Sequence, residues 1–84
     1  MRTWRTRSRF HRELADLLIE TLNNQADQCD ESADAFGWTA AAADGCGRSV
    51  QADQLRDAAR YNRVEAIKLR AFAGAAQYQC SSNG

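Results

Sequence analysis

An all-α fold, an antiparallel helical hairpin of two long helices, is predicted by three features of the chain. Proline is absent, apolar residues recur at spacings of three and four, and a single glycine-rich stop, Asp44-Gly45-Cys46-Gly47, divides the sequence in two. Each element follows from local chemistry. The first helix is expected over 8–44, with Ser8 as its cap and an apolar stripe through Ala15, Leu18, Leu22, Ala26, Cys29, Ala33, Phe36, Ala40 and Ala43. The polar run 23–28, Asp30-Glu31-Ser32 and the interior Gly37 weaken it, since glycine costs roughly 1 kcal/mol against alanine in a helix. A kink or break near 30–37 and an unbroken rod both fit.

The turn is expected over 45–48, where two glycines supply the left-handed backbone that a helix end and a reversal require. Ser49 can cap the second helix, 49–78, whose stripe is Ala52, Leu55, Ala59, Ala66, Leu69, Ala73 and Ala76, with Asn62 as its one polar member. Residues 1–7 read as a flexible basic arm and 79–84 as a loose tail, leaving 8–78 as the hairpin domain. A two-helix hairpin is thin, so dimerisation or partner binding is expected to complete a bundle.

The formal charge of zero hides a segregation. Residues 1–13 carry five Arg against one Glu, residues 14–47 carry seven acids and no base, and residues 48–84 carry six bases against three acids. Three cysteines, Cys29, Cys46 and Cys80, match neither a zinc pattern nor a disulfide framework, so no metal and no cofactor is expected. No leader and no bilayer-length apolar run is read, which points to the cytoplasm and away from a membrane. Ten Arg beside one Lys, with abundant Ala, suggests a GC-rich bacterial or phage genome.

Catalytic groups are scarce. His11 is the only histidine and sits among arginines, Cys29 falls inside the apolar stripe, and Cys46 in the turn has no base near it. Gly45-Cys46-Gly47 lacks the strand, length and Lys of a phosphate loop. No catalytic residue is assigned, and a non-enzymatic protein is expected.

Three charged or apolar groupings remain as candidate binding surfaces. The arm from Arg2 to Arg12 alternates bases with Trp4 and Phe10, a combination suited to nucleic acid; a solvated arm is the alternative. Asp16, Glu20, Asp27, Glu31 and Asp34 are expected to face outward, opposite the stripe, while Arg56, Arg60, Arg63 and Arg70 flank the second stripe, beside Ile67, where they suit inter-helix salt bridges. Toward the open end, Phe10, Leu14, Leu17, Leu18, Ile19, Leu69, Phe72 and Tyr78 cover a wider arc than one neighbouring helix can bury. Of these, Phe10, Leu14, Leu17, Leu69, Phe72 and Tyr78 are the expected partner-binding centre, rimmed by Arg5, Arg9 and Arg12.

Phe36-Gly37-Trp38 and the Tyr61 to Glu65 spacing resemble elements of the Trp-X-Gly family of small secreted helical hairpins, with its Trp-X-Gly turn and Tyr-x-x-x-Asp/Glu export signal. Here Gly precedes Trp inside the first helix, the turn is Gly-Cys-Gly, and the Tyr-x-x-x-Glu lies mid-helix, so the chain is not assigned to it. The function expected is therefore docking on another protein to inhibit or adapt it, as a phage or mobile-element inhibitor of a bacterial host system, of the anti-defence or anti-CRISPR type. The partner would be a host protein, with a homodimer as a further state; the alternatives are a nucleic-acid binder using the Arg arm and a secreted or structural hairpin.

Overall fold

The computed structural model describes the backbone of residues 2–83 and the side chains of residues 9–79. Helix α1 (Arg2–Gly45) and helix α2 (Ser49–Asn83) pack against each other as a hairpin with Cα extents of 69 × 15 × 12 Å. Both helices run further outward than the 8–44 and 49–78 expected, so Ser8 lies within α1 instead of starting it. The side chains of the expected 1–7 arm, and those of residues 80–84 in the tail, lie outside the described residues. At 44 residues against 35, α1 overhangs the end of α2 by nine residues, about 14 Å at 1.5 Å per residue.

α1 is unbroken through 30–37. Gly37 stays helical because its neighbours Ala33, Phe36 and Ala40 are packed on α2, and that packing outweighs a local cost of roughly 1 kcal/mol. The stop comes where the glycines predict it. Gly47 has φ 76°, the one positive φ among the described residues, and it closes α1 in a Schellman arrangement. Arg48 N–H donates to the Ala43 carbonyl (2.8 Å) and Gly47 N–H donates to the Asp44 carbonyl (3.0 Å). The Arg48 carbonyl then accepts from Ala52 N–H (3.0 Å), the first bond of α2. Arg48 is thus the capping residue and Ser49 the first helical one, a correction to the cap expected at Ser49. The same residue ends one helix and begins the next, which leaves a serine hydroxyl no part in the reversal.

The seam between the helices is made of alanine. Ala26, Ala33 and Ala40 on α1 and Ala52, Ala59, Ala66 and Ala73 on α2 are between 0% and 3% exposed, and they are the buried core of the described residues. Within each helix they stand seven apart, a repeat that keeps one line facing a partner along a left-handed supercoil. With these alanines as heptad position a, position d holds Leu22, Cys29, Phe36 and Ala43 on α1, and Leu55, Asn62, Leu69 and Ala76 on α2, all half-buried. A methyl at every a position brings the two backbones close, so larger d residues are pushed to the edges of the contact. Extending the repeat toward the N-terminus puts half-buried Ile19 and Ala15 in the seam and leaves Leu18 outside it, half exposed. The stripe therefore steps 15, 19, 22, not 15, 18, 22 as expected. Asn62, the polar d residue, satisfies its amide within its own helix by donating to the Ala58 carbonyl (2.9 Å).

Candidate functional site

Heptad geometry gives the hairpin two flanks beside the seam, positions b and e on one side and c and g on the other, with f pointing away. On the b/e flank Arg56, Arg63 and Arg70 occupy successive e positions of α2 and reach across to α1. Arg56 pairs with Asp44, Arg63 with Asp34 (3.8 Å), and Arg70 with both Asp30 (2.6 Å) and Asp27 (3.0 Å). Arg56 also holds Asp53 (3.2 Å) on its own helix, as Arg60 holds Asp57 (3.6 Å). The hydrogen bond to Asp44 raises the Arg56 guanidinium above its ordinary pKa, and bonds to Asp30 and then Asp27 do the same for Arg70. These side chains are solvent-exposed, where such pairs add little stability. What they support is register, which the turn fixes with Ala59 about level with Phe36, Ala66 with Cys29 and Ala73 with Leu22.

The inter-helix bridging expected of the second-helix arginines is present for Arg56, Arg63 and Arg70, while Arg60 turns to its own helix. The acidic line sits differently. Asp27 and Asp34, at b positions, are exposed as expected, and their carboxylates also reach the arginine ladder. Asp16, Glu20 and Glu31 are exposed and have no ion pair among the described residues. The line drifts around the helix because its 4-7-4-3 spacing does not hold one heptad position.

Apart from Glu31, Arg48, Asp57, Glu65 and Lys68, every charge in residues 13–79 lies on the b/e flank. The c/g flank is quiet: Glu65 and Lys68 pair with each other (3.5 Å), and the Thr21 and Thr39 hydroxyls donate to the Leu17 and Ala35 carbonyls of their own helix (2.8 Å each). On this flank and on the outer f line stand the exposed large apolar side chains, except Ile67, which lies at a b position among the arginines. Leu14, Leu17, Leu18 and Phe10 cluster on the N-terminal part of α1, and all are about half exposed or more. Trp38 (82%), Tyr61 (67%), Phe72 (64%) and Tyr78 (75%) project from the remainder.

Of the expected partner-binding set, Phe10, Leu14 and Leu17 share one exposed surface, where the Phe10 and His11 rings lie tilted 6.4 Å apart, whereas the expected rim residues Arg9 and Arg12 fall at e and a positions, on other faces of α1. Arg5 lies outside the described side chains, as does Cys80. Leu69 belongs to the seam, half-buried at a d position. Phe72 is exposed on the c/g flank of α2, about level with Asn23 and roughly 8 Å along the axis from Leu18. Trp38, Tyr61 and Val64 were not singled out as candidates from the sequence. Their exposure follows only once the alanine repeat fixes which line is the seam.

Cys29 is half-buried and Cys46 is exposed in the turn; both are free thiols. Among the described residues no group of three or more His, Cys, Asp or Glu is placed to hold a metal ion, and no helix is long and apolar enough to cross a membrane. The class of molecule is an alanine-seamed antiparallel two-helix coiled coil. Compared with protein-family models, curated proteins and solved structures, the chain finds no match.

Proposed function

We propose that this hairpin works by docking its open end on another protein, with no reaction of its own. The observation that carries the reading is the inverted use of side-chain size. Only alanines are fully buried among the described residues, while Phe10, Leu14, Leu17 and Leu18 stand together in water on one side of α1. Burying a large aliphatic or aromatic side chain is worth roughly 1.5–3 kcal/mol, against about 0.8 for a methyl, so most of the chain's apolar free energy is still to be realised at a contact. A contiguous exposed apolar cluster of this kind marks a contact surface. The α1 overhang presents part of that surface clear of α2. Inhibition or adaptation of a bacterial host protein by a mobile-element product is the form of this reading that the Arg- and Ala-rich composition and the small size favour.

The test is affinity capture from a Gram-negative lysate with the native chain and a Leu17→Asp variant compared quantitatively. Leu17 is exposed, so the variant keeps its helix, yet a carboxylate buried unpaired at the contact costs several kcal/mol. One stoichiometric partner lost with the variant is the expected result; no enriched protein, or equal capture by both chains, would contradict it. Arg9 and Arg12, exposed and without an ion pair among the described residues, support a second reading as a nucleic-acid contact. Duplex or single-stranded DNA binding that weakens steeply with salt would favour that alternative.

A further inference from the structure

Along the c and g positions of α2 run Ala58, Tyr61, Glu65, Lys68, Phe72 and Ala75. The order is the same in kind from either end: methyl, aromatic, then a charge, with opposite signs at the centre. The midpoint falls between Ala66 and Ile67, at the middle of α2 (Ser49–Asn83). Tyr61 and Phe72 are exposed, and Ala58 is half-buried. A surface with this symmetry is complementary to itself when turned end for end.

We infer that the c/g flank of α2 is an interface with a second copy of this chain, packed antiparallel about a two-fold axis at that midpoint. In a two-fold contact, residue i meets j and j meets i. Glu65 then lies beside Lys68 of the second copy, twice over, so the Glu65–Lys68 pair (3.5 Å) becomes a ring of alternating charge. Tyr61 packs on Phe72 of the second copy, again twice, and Ala58 opposite Ala75 lets the helices approach. The b/e flank of α2 offers no such match, because its charges are already joined within the chain.

Area and charge agree with this occupant. The chain exposes 6719 Å², whereas a compact monomer of 9.3 kDa exposes about 5,000 Å². The excess is roughly 1,700 Å² per chain, and two copies together reach the roughly 2,000–5,000 Å² that obligate homodimers bury. A formal charge of zero sets up no repulsion between copies. Centred on α2, the dimer sends the two α1 overhangs, and Phe10 with them, out at opposite ends, and because the dimer is read by mass and the docking by capture of a partner, the two readings stand or fall separately.

Charge complementation tests it. Glu65→Lys and Lys68→Glu each put four like charges at the centre, and like-charge contact should weaken the dimer by on the order of 100-fold in Kd. An equimolar mixture of the two variants restores opposite signs between copies, though neither chain regains its own Glu65–Lys68 pair. Sedimentation equilibrium should give the native chain twice 9.3 kDa, each variant alone near one chain, and the mixture two chains again, with circular dichroism unchanged throughout. A native chain of one-chain mass, variants that dimerise as well as the native chain, or a mixture that stays monomeric would each overturn the inference.

Discussion

The two flanks of this hairpin lie equally close to one seam and yet are finished differently. On the b/e flank Arg56, Arg63 and Arg70 each find an aspartate on α1, so the chain satisfies that side with its own atoms. On the c/g flank Leu14, Leu18, Tyr61 and Phe72 remain in water, and the one ion pair is local to α2. A flank closed by exposed ion pairs specifies how the two helices align and gains little energy. A flank of uncovered aromatic and aliphatic groups holds energy that only another surface can release. The difference teaches that register and stability are assigned to opposite sides, with the alanine seam as the hinge of both.

The largest expected effect comes from widening that seam. Ala66→Leu places a bulky side chain at a fully buried a position where the opposite helix also presents alanine, and overpacking of this kind costs typically ~1–3 kcal/mol. The helices would be forced apart and both flanks disturbed, seen as a lowered urea midpoint. An unchanged midpoint would mean that the seam tolerates a wider spacing, and the size inversion would lose its cause. A much smaller effect is expected from Arg70→Ala, which removes two cross-helix contacts at an exposed site. The melting midpoint at high salt should match the native chain, with only a slight fall at low salt. A large loss at any salt concentration would show that the charged flank holds the hairpin together.

Much of this architecture is legible in the sequence, and the limits are physical. The turn is readable because Gly47 must take a positive φ and few other residues do so cheaply. The seam is nearly readable because alanines recur at threes and fours, but Leu18 and Ile19 are both apolar and one residue apart. Choosing between them needs the seven-residue step back from buried Ala26, which a 3.6-residue period blurs over several turns. Side-chain chemistry favours Ser49 as a cap, and the Schellman closure overrides it by making Arg48 serve both helices. Of the apolar residues expected at the open end, Phe10, Leu14, Leu17, Phe72 and Tyr78 are exposed, but Leu69 is drawn into the seam. Arg9 and Arg12 turn to other faces of α1, because the spacing that groups the apolar residues carries the arginines round the helix. Trp38 and Tyr61 gave no signal alone, because an aromatic residue in a helical pattern reads as core until the core is known to be alanine.

Solution X-ray scattering on the native chain at several concentrations tests the division between the flanks most directly. A dimer joined along the c/g flank of α2, with α1 overhanging at each end, predicts twice 9.3 kDa in a particle about 80 Å long at 1.5 Å per helical residue. A mass of 9.3 kDa with the 69 Å length of a single hairpin, or a doubled mass in a rod close to twice that length, would contradict it.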